Sequence, residues 1–147
     1  MRMTHGYIDY SVKPDKHTCL LFTGNAFVKK DGGLVMGRGA AQQVRDTYPG
    51  ADRWFGARID RQGDEYGVII NPKTGFGVFQ VKTHFKDEAS LSLISHSANV
   101  LRVVAWTFPD ILFRCNYPGI GNGKLSRDDV EPILDLANLP DNVEFAI

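Results

Sequence analysis

The chain has 147 residues, 43% of them hydrophobic, and its 17 basic and 17 acidic side chains leave a formal charge of zero. That length holds one domain, residues 1–147, with a substantial core, and the balanced charge argues against bulk nucleic-acid or membrane-surface binding. No apolar run reaches the length of a membrane span and no signal-peptide core opens the chain, so the cytoplasm is the expected compartment. Cys19 and Cys115 both fall inside apolar runs and read as reduced core thiols.

Residues 7–12 (Tyr7, Ile8, Asp9, Tyr10, Ser11, Val12) alternate apolar and polar, which predicts a half-buried edge strand. Residues 18–23 form a continuous apolar run ending in Gly24-Asn25, as expected of a strand buried on both faces. Residues 26–35 lack a period and carry Lys29-Lys30-Asp31-Gly32-Gly33, which reads as a loop or small hairpin. After the cluster Met36-Gly37-Arg38-Gly39, Ala40, Ala41, Val44 and Tyr48 recur at helical spacing until Pro49-Gly50 stops them. A short helix is expected within 51–61. Tyr66 to Ile70 and Gly77 to Lys82 read as two strands joined by a turn-rich connection.

Asp87 is the expected N-cap of the longest helix, whose apolar stripe is Leu91, Ile94, Ala98, Leu101, Val104 and Ala105, with Pro109 beyond its end. Residues 111–115 predict another buried strand. It leads into Tyr117-Pro118-Gly119-Ile120-Gly121-Asn122-Gly123 and then a helix over Ser126–Asn138, with Asp129 as a cap that would put Pro132 in the first turn. Residues 143–147 close the chain as a short strand. Alternating strands and helices with continuous apolar strands predict a three-layer α/β domain with a mixed, mostly parallel sheet.

The two glycine clusters carry the chemistry. Each lies between an apolar strand and a helix, where backbone N–H groups gather around an anion and a Cβ would block close approach. Asn25, Lys82 and the second cluster all fall at or just past strand ends, where open α/β sheets bind ligands. Arg38 reads equally as a phosphate-neutralising cation or a solvated side chain at a helix start. The four histidines lack metal-ligand spacing, so no metal is expected; His84, two residues past Lys82, is a candidate for proton transfer. Trp54, Phe55, Trp106 and Phe108 read as core residues rather than base-stacking platforms.

Asn25 at a strand end, Met36-Gly37-Arg38-Gly39 opening a helix, Lys82 closing a strand and Pro118-Gly119-Ile120-Gly121-Asn122-Gly123 opening the last helix together resemble the macrodomain family. The resemblance runs from about Cys19 to the C-terminus. Its nearest branch is that of the terminal ADP-ribose protein glycohydrolases and their small bacterial and phage relatives.

The resemblance implies an ADP-ribose site with no cofactor, in a monomer. Gly37, Arg38 and Gly39, with Met36, would line one side of the diphosphate and distal ribose. Pro118, Gly119, Ile120, Gly121, Asn122 and Gly123 would line the other. Asn25 would lie near the distal ribose and Lys82 matches the lysine with which this branch attacks or orients the opened sugar; the catalytic residues would then be Lys82, acting on that ribose, or Asn25, holding a water. Leu125 stands where the branch carries an aspartate, and Pro14-Asp15 is not carried over as the adenine-contacting pair. Three activities stay open: a hydrolase removing ADP-ribose from a protein, nucleic acid or small molecule; a non-catalytic ADP-ribose-binding module; and an ADP-ribose 1″-phosphate phosphatase.

Overall fold

A computed structural model describes residues 1–147 as a six-stranded sheet with helices on both faces. The strands are β1 (Arg2–Thr4), β2 (Thr18–Gly24), β3 (Val68–Ile70), β4 (Phe76–Gln80), β5 (Leu112–Asn116) and β6 (Val143–Ala146). They lie in the order β1-β6-β5-β2-β4-β3. Every neighbouring pair is parallel except β3–β4. The helices are α1 (Gly39–Thr47), α2 (Ala51–Gly56), α3 (Leu91–Thr107) and α4 (Arg127–Leu136).

The three layers follow from the strand pattern. In β2, Cys19 and Leu21 face one side, where they join Phe79, Phe113 and Phe145 under α3 and α4. Leu20 and Phe22 face the other, where they meet Val78 and the α1 and α2 residues Ala41, Val44 and Phe55. A strand wrapped in apolar residues on both faces is stable only between two helical layers, and the continuous run at 18–23 encodes that requirement. Both thiols are free and buried, and burial pushes the Cys19 thiol up to about 12. At that value it is inert.

Four expectations are corrected. Residues 7–12 form no strand; the edge position belongs to β1, paired with β6. Their period-two burial is real, since Ile8 and Tyr10 are buried and Tyr7 is fully exposed. The Tyr10 hydroxyl, however, donates to the Leu21 carbonyl at 2.6 Å, so a side chain rather than a ladder ties the segment down. Ser90, not Asp87, caps α3, accepting from the Leu93 amide at 3.3 Å. The residues before it are held elsewhere: Ala89 N–H donates to the Gly123 carbonyl and Ser90 N–H to the Val81 carbonyl.

Ser126, not Asp129, caps α4. Asp129 completes a reciprocal capping box with it, which leaves Pro132 inside the helix. Trp106 and Phe108 are 65% and 52% exposed, because they fall outside the buried stripe of α3; Phe55 is buried as expected. No helix is long and apolar enough to cross a membrane.

Candidate functional site

In this strand order β2 is flanked by β5 and β4. The chain leaves β2 towards α1 on one face, and leaves β4 and β5 towards α3 and α4 on the other. Adjacent strands whose connections diverge to opposite faces open a crevice beyond their carboxyl ends. The segments leaving β2, β4 and β5 there are residues 25–38, 81–90 and 117–126. They contain every candidate site residue read from the sequence except Gly39, which opens α1.

The first wall is the start of α1. Arg38 is its N-cap but makes no side-chain cap, and the first turn holds no acidic residue. The amides of Gly39, Ala40 and Ala41 have no acceptor in the chain. A helix start left bare in this way carries a partial positive charge and unsatisfied donors. Met36 is buried in the core and offers only backbone, whereas Gly37, Arg38 and Gly39 are exposed. A Cβ built on Gly37 or Gly39 meets nothing within 4 Å, so the space in front of this loop is open.

The second wall is a 3-10 turn over Gly121–Gly123, closed by an N–H bond from Leu125 to the Gly119 carbonyl at 2.9 Å. Gly119 is forced by close approach: its Cβ would stand 2.8 Å from Ile94 Cδ1 and 3.0 Å from Leu125 Cδ1. Gly123 likewise abuts Ala89 Cβ at 2.9 Å. Those contacts press the loop onto α3's approach, and leave Ile120, Gly121 and Asn122 exposed on its outer side. Leu125 packs against the core beneath Gly119. Asp129, held by Ser126, does not reach into its place.

Lys82 lies two residues past β4, half-buried, with Nζ donating to the Asp87 carbonyl at 3.2 Å. Burial lowers its pKa from the usual lysine value; the Asp87 charge opposes that shift and the Arg38 charge adds to it. The Ala26 amide donates to the Thr83 carbonyl at 3.1 Å, so the segment that leads to the first glycine loop is tied to the one that carries Lys82. The Ala89–Gly123 bond ties the second loop to the same segment. Asn25 is 5% exposed, and both ends of its amide are engaged: Nδ2 donates to the Val35 carbonyl at 3.1 Å, and Oδ1 accepts from the Phe27 amide at 2.8 Å. It fixes the path of residues 26–38 and so the start of α1.

The strand does not continue to His84, which is therefore not on Lys82's strand face. Its Nδ1 accepts from the Lys86 amide, and its ring stacks on Phe85 at 4.6 Å, with Phe27 edge-on at 4.8 Å. No three His, Cys, Asp or Glu side chains converge as a metal site would need. An apolar recess of about 190 Å³ lies at the opposite end of the sheet, by Tyr48, Trp54 and Phe76. It has no charged lining residue with which to hold a phosphate.

Two supporting groups escaped sequence reasoning. Asn116 ends β5 and takes over from the ladder: its Oδ1 accepts from the Thr23 amide at 3.1 Å and its Nδ2 donates to Thr23 Oγ1 at 3.0 Å. The Tyr10 hydroxyl oxygen accepts from the Asn116 backbone amide at 3.2 Å. Gln80 is fully buried, with Nε2 donating to the Asp64 and Lys82 carbonyls and Oε1 accepting from the Gly67 amide. Polar residues ending otherwise apolar strands were the available signal, since a buried amide persists only where it is bonded.

No protein-family model matches the sequence, and no curated protein does. Solved structures do. The chain is similar to the macrodomain of Mycobacterium tuberculosis DarG at 27% identity and a TM-score of 0.69, over 98% of this chain and 96% of that one. The Thermus aquaticus DarG macrodomain matches at 18% identity and a TM-score of 0.70, over 99% and 95%. Thermosipho africanus DarTG in complex with ADP-ribose matches at 19% identity and a TM-score of 0.68, over 88% of this chain and 37% of that longer one. An end-to-end match of this kind, on a mixed six-stranded sheet whose diverging strand ends carry both glycine loops, gives the chain the macrodomain fold and supports its likeness to that family.

Proposed function

We propose that this protein binds ADP-ribose in the crevice between α1 and the 119–123 loop, and that it releases ADP-ribose from a carrier through Lys82. One observation carries the reading: the segment that leads to the uncapped start of α1 and the glycine turn are both hydrogen-bonded to the 81–90 segment, which holds the half-buried Lys82. The α1 amides and the loop amides of 119–123 supply the donors for the pyrophosphate, and Arg38 supplies charge. The likeness to a DarTG in complex with ADP-ribose supports the ligand.

In the hydrolytic step the neutral Lys82 amine attacks C1″ of the distal ribose, and the carrier departs with the bonding electrons and takes up the proton that the amine sheds. The C1″–O4″ bond of the resulting N-glycoside then breaks, the remaining amine proton passes to O4″, and an imine is left on Lys82. Water then adds to the imine, regenerating the amine and free ADP-ribose. The amine must be unprotonated to attack, and its surroundings already lower its pKa.

Titration calorimetry with ADP-ribose tests the binding: saturation in the micromolar range is expected, and no heat at high micromolar ligand ends the reading. Lys82→Ala should cut release from ester-, phosphate- and base-linked substrates by at least about a hundredfold, as expected for loss of a nucleophile. With wild type, the rate should rise with pH and level off above the lowered lysine pKa. Arg38→Gln removes a charge that depresses that pKa, so it should move the rise to higher pH.

Leu125 favours a second reading, a module that binds without turnover, because the branch's acid is replaced by a partly buried apolar side chain packed against Gly119. Tight binding with no product from any of those linkages would establish it.

A further inference from the structure

β2 parts from its two neighbours at different points. Its parallel ladder with β4 runs as far as Gly24 opposite Gln80, whereas its ladder with β5 ends at Leu21 opposite Cys115. Side chains join the two strands beyond that point. The Thr23 amide donates to Asn116 Oδ1 at 3.1 Å, and Asn116 Nδ2 donates to Thr23 Oγ1 at 3.0 Å. A continued ladder would bond the same Thr23 amide to a main-chain carbonyl, whatever side chain stood at 116.

The Tyr10 hydroxyl makes a second join at the last rung. It donates to the Leu21 carbonyl at 2.6 Å and accepts from the Asn116 backbone amide at 3.2 Å. Tyr10 is 2% exposed and packs in the layer that α1 and α2 cover. Its own carbonyl accepts from Thr47 Oγ1, in α1, at 3.0 Å. One buried tyrosine therefore touches β2, β5 and the helix whose start forms the first wall. Hydrogen bonds in so dry a place hold one geometry, because each group left unpaired there is costly.

The bridge stands at the root of the crevice. β2 leads to the first wall and β5 to the second, and the residue after Asn116 opens the 117–126 segment. We propose that Asn116, with the Tyr10 hydroxyl beneath it, is a positioning residue that sets the separation of the two walls, and that this separation selects a diphosphate over a monophosphate. Resting on the proposed ADP-ribose site, the inference adds that ligand length is gauged where the strands part. A pyrophosphate spans both walls and depends on their spacing; a single phosphate rests on one and does not.

Asn116→Ala takes the acceptor from the Thr23 amide. Hydrogen exchange there should quicken about tenfold or more relative to the Leu20 amide, which donates to the Gly75 carbonyl on the other side of β2. ADP-ribose should bind about tenfold more weakly, and AMP within about twofold of wild type. Tyr10→Phe keeps the ring and removes the hydroxyl, and should shift the ratio of the two affinities in the same direction. That ratio does not depend on the fraction of protein that is folded, so a merely destabilised variant leaves it alone.

An unchanged ratio in both variants would overturn the proposal, as would Thr23 exchange that stays in step with Leu20. Wild-type protein that holds AMP as tightly as ADP-ribose would remove the selection. Wild-type protein that fails to bind ADP-ribose at all would instead bring down the functional reading, and the exchange result would then decide the bridge alone.

Discussion

The two glycine loops resemble each other in sequence and differ in what their glycines do. In the first, Gly37 and Gly39 face empty space, and the helix that follows begins without a cap. In the second, Gly119 and Gly123 are pressed against Ile94 and Ala89, and the helix that follows has a complete capping box and Asp128 and Asp129 in its first turn. The α4 start therefore has fewer free donors and a negative surround. It cannot add to anion binding as the bare α1 start can. In the proposed site the exposed turn itself, Ile120 to Asn122, carries the contacts on that side. One loop is glycine-rich where the space before it is open; the other is glycine-rich in part to leave room for the protein.

Substitutions can break this contrast. Gly119→Val has the largest expected effect, because it combines a φ of +84° with a Cβ under 3 Å from Ile94. Overpacking and a left-handed β-branched residue together should cost about 2–4 kcal/mol of stability. Urea unfolding should show a lower midpoint with or without ligand. A midpoint equal to wild type would mean the loop is not pressed onto α3's approach.

Gly37→Ala should leave the unfolding midpoint within about 1–2 °C of wild type, because its Cβ meets no protein atom. It should nevertheless weaken ADP-ribose about tenfold or more, or roughly 1.4 kcal/mol, by filling the space in front of the α1 amides. Unchanged affinity would show that the ligand does not approach there.

Much of this was legible in the sequence. The apolar run at 18–23 gave a strand buried on both faces, and the Ala40–Tyr48 spacing gave α1. The two clusters were placed at one end of the sheet by the residues that precede them. What was not legible was where local hydrogen bonds would go. The alternation at 7–12 records true burial of Ile8 and Tyr10, but a hydroxyl reaching the Leu21 carbonyl produces the same pattern as a strand. Acids near helix starts were read as caps, yet serines at 90 and 126 hold those positions because loop contacts at Ala89 and Leu125 fix where each helix begins. Asn25 at a strand end could serve backbone groups or a ribose hydroxyl; its amide has two backbone partners within the chain, Val35 and Phe27, whose identity no spacing rule would reveal.

The smallest effect offers the closest test of the contrast. Ser126→Ala removes the side chain that accepts from the Asp129 amide at 3.2 Å, and should cost about 1 kcal/mol, the usual value of a lost N-cap. It also bares an amide at the start of α4, so a generic account, in which any open helix start near the crevice attracts a diphosphate, expects ADP-ribose to bind more tightly. The contrast expects no change. Asp128 and Asp129 remain in the first turn, and with Ser126 gone the Asp129 carboxylate loses its hydroxyl donor while keeping its charge. Calorimetry beside thermal unfolding should thus show a lower midpoint and an unaltered affinity. A gain in affinity would place part of the anion site at α4, and would make the two walls alike after all.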